Sequence, residues 1–313
     1  MKWRPVMINM KPLKILPLTN MHRYHAAIAR VMLGGVVAFG MAACGSTAPD
    51  TAAHDGASPR PQRIVSLNLC ADQLLVSLAD RTQIAGLTRN AADPEMSAVA
   101  GEVAGLRILG NAAEEVLEIN PDLVIGMPTR RSAALGALKG RDYPSLDLKT
   151  ARSVDDIYKG IAATAKAVGH MDRGAILVDG MKSALSDVPN VGKGRVAAYY
   201  QRRGFMTGTG TLVDDLMGRA GLVNLAAQIG KPSLAQISLE EMVHAQPDFI
   251  IMESSTATIS DQGSEMLHHP ALRGIPRLYL REAWTVCGGP AYVQAAQSLA
   301  QQIARHDAGR AGG

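Results

Sequence analysis

Two distant stretches of the chain read alike, and this repeat constrains the fold more than any other feature. Glu114-Glu-Val-Leu-Glu-Ile-Asn-Pro121-Asp-Leu-Val-Ile returns as Glu240-Glu-Met-Val-His-Ala-Gln-Pro247-Asp-Phe-Ile-Ile. Each copy has two acids, an apolar pair, Pro-Asp and a buried-strand run, and each leading glutamate stands seven residues before its proline. A helix stopped by proline and followed by a short apolar strand is half of a βαβ unit. Two copies predict two α/β lobes related by pseudo-symmetry.

The surrounding pattern fits. In the first half, strands are expected at Arg63–Leu67, Ile84–Leu87, Asp122–Gly126 and Leu146–Leu148, with helices at Asp72–Leu78 and Asn111–Asn120. Ser153-Val-Asp-Asp opens a further helix with an N-cap and early acids, reaching Val168. The stretch Met171–Val188, with Ile176, Leu177, Met181 and Leu185 at helical spacing, predicts a rod of roughly 25 Å between the lobes. Alternation then restarts with strands at Arg195–Tyr200, Asp248–Met252 and Leu278–Leu280. Helices are expected at Leu212–Ala220, Leu239–Ala245 and Ala291–Ala304. The expected division is a first lobe over 61–170, the connecting helix over 171–188 and a second lobe over 189–308.

Charge is unevenly placed. The chain is formally +4, but residues 1–43 carry six basic residues and no acid, so the remainder is −2 and an electrostatic nucleic-acid surface loses its support. The basic head precedes an apolar run from Val31 and the small residues up to Cys44, the order of an export signal. That run, about 13 residues, is shorter than the roughly 20 that span a bilayer as a helix. Met41-Ala-Ala-Cys44 resembles a bacterial lipobox, so 1–43 is expected to be removed and Cys44 to carry lipid; Met10 or Met21 are alternative starts. Residues 44–60, rich in Ala, Ser, Thr, Pro, Asp and Gly, form a tether. Only Cys70 and Cys287 then remain, too few for a disulfide scaffold. Both are expected as free thiols, because a bond between them would pin the lobes shut against ligand exchange.

Four stretches together carry a resemblance: Arg63-Ile-Val-Ser-Leu-Asn-Leu-Cys-Ala-Asp-Gln-Leu-Leu, the repeated Pro-Asp segment, Thr207-Gly-Thr-Gly-Thr-Leu-Val-Asp-Asp-Leu-Met-Gly-Arg-Ala-Gly-Leu-Val-Asn224, and His269-Pro-Ala-Leu. In order and spacing they resemble the helical-backbone periplasmic binding proteins of ABC importers, which deliver ferric siderophores, haem and cobalamin. The resemblance covers about residues 61–305. It implies two lobes joined by a rigid helix, with the ligand in the cleft between them and captured by lobe closure. It also implies that Glu114 and Glu240 dock into arginines of a dimeric permease served by an ATPase. Read alone, these glutamates are first-turn acids favoured by the helix dipole.

Ligands of open α/β sheets meet the loops at the strand carboxyl ends. Those loops offer Asn68, Cys70, Arg89, Arg130, Arg131, Tyr200, Arg202, Arg203, Trp284 and Cys287 as ligand-binding candidates. Arginines there could form forks for the oxygens of an anionic chelate, and Trp284 a stacking face. The resemblance and these arginines together imply a lipid-anchored, monomeric periplasmic protein that binds a metal chelate, a ferric siderophore before cobalamin, with no cofactor and no bond made or broken.

Other chemistries find little footing. Thr207–Thr211 lacks the Lys-Ser/Thr of a P-loop and the third glycine of a dinucleotide fingerprint. No nucleophile elbow, paired-cysteine zinc spacing or His-Glu-x-x-His appears, and His268-His269-Pro270 reads as a turn. The rival readings are an enzyme on a bilobal α/β scaffold, such as a metal-dependent hydrolase or electron carrier, and a zinc-binding or adhesin relative. The first lacks a catalytic motif and the second a visible ligand set.

Overall fold

The repeated Pro-Asp segment works as a strand clip. In the computed structural model, which describes residues 60–110, 113–127 and 143–311, helix Ala113–Ile119 ends at Asn120 in the left-handed region, φ 48°. Pro121 cannot continue the helix, and the Asp122 carboxylate accepts the backbone N–H groups of Gln62 (2.9 Å) and Arg63 (2.8 Å). Those donors lead into strand β1 (Ile64–Ser66), which therefore starts beside β3 (Leu123–Gly126) in parallel register. The second copy repeats the device. Helix Leu239–Ala245 ends at Gln246, φ 42°, and Asp248 accepts the N–H of Val196 at 2.8 Å, aligning β5 (Val196–Tyr200) with β9 (Phe249–Glu253).

Around these clips two sheets assemble. The first has the order β2-β1-β3-β4, all parallel, with β2 at Ile84–Gly86 and β4 at Ser145–Asp147. In the second, β10 (Arg277–Leu280), β9 and β5 are parallel, and β7 (Val223–Asn224) also joins β5 in parallel. Along that same edge of β5, opposite β9, β6 (Phe205–Thr207) and β8 (Leu234–Gln236) add an antiparallel extension. No strand was expected there from the sequence. These strands have three residues each, too few for a period-two pattern to show.

Helices α1 (Leu69–Leu78) and α2 (Ala113–Ile119) belong to the first lobe, and α3 (Val154–Val168) and α4 (Met171–Ser186) stand between the two sheets in chain order. The second lobe adds α5 (Leu212–Arg219), α6 (Leu239–Ala245), α7 (Glu282–Thr285) and α8 (Tyr292–Ala311). Helix α1 starts three residues before the expected Asp72 because the Asn68 side chain caps it, accepting the Ala71 N–H at 3.0 Å. Helix α8 runs past the expected Ala304 to Ala311. Gly174 lets α4 approach α3, since a Cβ there would stand 2.4 Å from the Ala165 Cβ. Of the four apolar positions expected to pack on α4, Met181 and Leu185 are buried and Leu177 is half-buried, but Ile176 is 72% exposed.

One apolar core runs through both lobes: Ile64, Leu75 and Ile125, then Ile157 and Ile161 of α3, then Leu216, Phe249 and Leu299. Strand β5 divides by alternation. Ala197 and Tyr199 face this core, whereas Ala198 and Tyr200 face a second one with Met206 and Ile250. All described residues belong to one unit, Ala57–Gly313. Among them no helix is long and apolar enough to cross a membrane. The leader, Cys44 and the tether up to 59, and Arg130 and Arg131, lie outside the described residues.

Candidate functional site

The carboxyl ends of the two sheets bring α1 and the loop after α7 together, and a disulfide joins Cys70 to Cys287 across them with the Cα atoms 5.2 Å apart. The expectation of two free thiols is overturned. It assumed that the lobes must separate here, yet the 286–290 loop of the second lobe already packs on the first. A Cβ at Gly288 would stand 2.3 Å from the Ala151 Cβ, and Cys287 is 4% exposed. Neither sulfur is therefore available to a ligand's metal as a thiolate.

Two adjoining cavities flank the bond. The larger, about 580 Å³, is walled by Leu148–Arg152 after β4, by Thr209–Val213 at the start of α5, and by Thr285 and Val286. The other, about 530 Å³, is walled by Asn68, Thr88–Asn90 and Met96. Cys70, Met127 and Val286 line both.

Both cavities carry exposed basic side chains: Lys149 and Arg152 in the larger, Arg89 in the smaller. The one carboxylate among the described walls of the larger cavity, Asp156, is already engaged. It accepts the Arg152 backbone N–H (3.1 Å) and the Lys159 ammonium (3.2 Å), and these contacts hold its carboxyl below the usual range. Below Arg89, Asp72 is fully buried and accepts the backbone N–H of Thr88 (3.0 Å) and the Thr88 hydroxyl, fixing the loop that carries Arg89. Burial pushes its carboxyl up to about 6, against the lowering effect of those hydrogen bonds. Glu282 is also raised, first by burial and then by Glu253, Asp93 and Glu95. Near it the lobes touch again, as Arg281 donates to the Pro94 carbonyl at 2.9 Å and lies over the Trp284 ring at 5.5 Å.

Of the sequence-derived candidates, Asn68, Cys70, Arg89 and Cys287 line the cleft. Tyr200 does not: alternation along β5 turns it into the second core, where it is 0% exposed and its hydroxyl donates to the Met266 sulfur at 2.9 Å. Arg202 pairs with Asp261, and Arg203 sits at φ 59°; neither is among the walls of these two cavities. Trp284 is half-buried against the core beneath Arg281 and is not among the walls of these two cavities. Glu114 and Glu240 are exposed in the first turns of α2 and α6.

Lys149, Arg152 and Thr209–Thr211 were missed. Lys149 follows β4, so the strand-end rule applied to that strand would have found it. The threonine-glycine loop follows β6, an antiparallel strand that the rule does not cover. Among the described residues no group of three or more His, Cys, Asp or Glu could hold a metal, and the cavity walls include no aromatic side chain and no histidine.

The curated relatives matched are cobalamin-binding proteins of two Halobacterium salinarum strains, 25% identical over 213 residues. The match takes in 66% of this chain, which spans 58% of the length of those relatives. Among solved structures, the periplasmic heme-binding protein RhuT from Roseiflexus sp. RS-1 superposes with a TM-score of 0.62 at 22% identity, over 77% of this chain and 97% of that one. The periplasmic vitamin B12 binding protein BtuF of Vibrio cholerae gives 0.61 at 17%, over 78% and 97%. These likenesses establish the bilobal α/β fold expected from the repeat. The family model described as periplasmic binding protein matches residues 64–277, well over half of the chain, and the chain belongs to that family.

Proposed function

We propose that the protein binds a metal chelate in the cleft between its lobes and presents it to a dimeric ABC permease, without making or breaking bonds. The observation that carries this reading is the pair of adjoining cavities at the carboxyl ends of both sheets, of about 580 and 530 Å³, edged by Arg89, Lys149 and Arg152. Side by side they suit a ligand larger than the drug-sized molecules that fill a single site of roughly 300–1,000 Å³. Their basic edges suit the carboxylate, hydroxamate or catecholate oxygens of a ferric siderophore. A second reading, cobalamin, draws on the curated relatives, which are cobalamin-binding proteins. Haem is the poorest fit, because the described walls offer no aromatic ring and no histidine.

Glu114 and Glu240, exposed at matching positions of the two lobes, are the proposed permease contacts. Cys44 is proposed as the lipidated residue of the periplasmic form, with 44–60 as its tether, and lobes at 61–170 and 189–308 about a helix at 171–188. The family and the relatives are binding proteins, which supports binding over catalysis on the same scaffold.

Titration with a ferric trihydroxamate, a ferric catecholate, cyanocobalamin and haemin tests the assignment. Saturable one-to-one binding of a ferric chelate, weakened by joint Arg89→Ala and Arg152→Ala replacement, is expected. Tight cyanocobalamin binding with no response to the ferric chelates would select the second reading, and haemin alone would overturn both.

A further inference from the structure

Among the described residues, a disulfide and two hydrogen bonds tie the lobes together around the cleft. The Cys70–Cys287 bond is one tie, the Arg281 guanidinium on the Pro94 carbonyl (2.9 Å) is another, and the Asp215 carboxylate on the Val154 N–H (3.3 Å) is the third. Only the first is covalent, and it stands where both cavities meet, since Cys70 lines each of them. A hinge that opened the lobes would have to pull apart two residues held with their Cα atoms 5.2 Å apart. It would also have to lift Gly288 off Ala151 and break a core that passes through Ile157 and Ile161. A disulfide permits no such separation.

We infer that the Cys70–Cys287 bond is a clasp that sets the width of the cleft, so that ligand enters and leaves with the lobes joined and is selected by a fixed aperture. This rests on the cleft reading above but not on which chelate is bound. A site held open at one width spends no binding energy on ordering the lobes. It also rejects molecules that a closing cleft would accommodate by moving further or less far. The two cysteines thereby act on specificity without touching the ligand's metal.

The test compares three forms of the full chain: oxidised protein, the same protein reduced by a phosphine, and the Cys70→Ser/Cys287→Ser variant. Hydrogen exchange in the absence of ligand reads the clasp directly. Segments 148–152 and 285–290 are expected to exchange roughly tenfold faster in both bond-free forms, with β9 unchanged as the control for folding. A ferric trihydroxamate and cyanocobalamin are then titrated. The oxidised protein is expected to bind one of them with no change in its small-angle scattering radius. The bond-free forms are expected to bind it more weakly and to contract as they do so.

Equal exchange of the two segments in all three forms would overturn the clasp, as would binding by the reduced protein alone. If the segments loosen as expected but no form binds either probe, the clasp stands and the chelate assignment fails. Reduced wild-type protein keeps the test decisive if the serine variant does not fold.

Discussion

Replacing Asp72 by Asn should flatten the acid side of the stability profile. The carboxyl is fully buried and is pushed up to about 6 from an ordinary 3.8, chiefly by burial. Between those two values the folded protein holds a proton there that the unfolded chain does not. The associated stability is therefore fully present below pH 3.8 and is lost as pH rises through about 6. Each tenfold change in proton affinity is worth about 1.4 kcal/mol, so the wild type should lose about 3 kcal/mol through this one group. Asn can still accept the Thr88 N–H through Oδ1, keeping the Arg89 loop in place, but cannot ionise. Urea unfolding of both proteins from about pH 4 to about pH 7.5 measures the effect as a difference. Asp80, Asp156 and Asp307, whose carboxyls are lowered, gain stability as pH rises, but they do so in both proteins and cancel. A wild-type-minus-variant difference that stays flat across this window would refute the reasoning.

The other expectations are simpler. Asp122→Ala and Asp248→Ala should each destabilise the protein by about 1–2 kcal/mol in urea unfolding, Asp122→Ala more, because its carboxylate accepts two backbone N–H groups rather than one. Gly288→Ala should cost about 1–3 kcal/mol by overpacking against Ala151, and a thermal midpoint equal to wild type would mean that the loop yields freely. The double replacement Glu114→Lys/Glu240→Lys should abolish uptake in cells while leaving ligand affinity unchanged, since both side chains are exposed and away from the cavities. Loss of affinity in step with uptake would assign them to the fold or the cleft instead.

The fold was legible where local chemistry and global arrangement agree. Pro121-Asp122 and Pro247-Asp248 end a helix, begin a strand and clip that strand's neighbour, so one motif announced both lobes. Legibility failed where the deciding contact is distant in sequence. Nothing near Cys70 or Cys287 indicates that the partner is 217 positions away, and the free-thiol expectation came from an assumption about motion rather than from the residues. Tyr200 was misplaced for a different reason. It lies at a strand end, where the loop rule places ligands, but it sits on the face of β5 that alternation turns into the second core. Arg152 looks like an ordinary solvated charge in the sequence, and only the meeting of the β4 loop with the start of α5 makes it a cavity wall.

The claim that this protein holds a metal chelate between its lobes is tested most directly by native mass spectrometry of the protein purified from its own host under gentle conditions. One added mass per chain is expected, matching a ferric siderophore or a corrinoid, and it should be lost when Arg89 and Arg152 are both replaced by Ala. A retained chelate unaffected by those replacements, or a chain that stays at its apo mass even after incubation with the full panel of ferric chelates and cyanocobalamin, would contradict it.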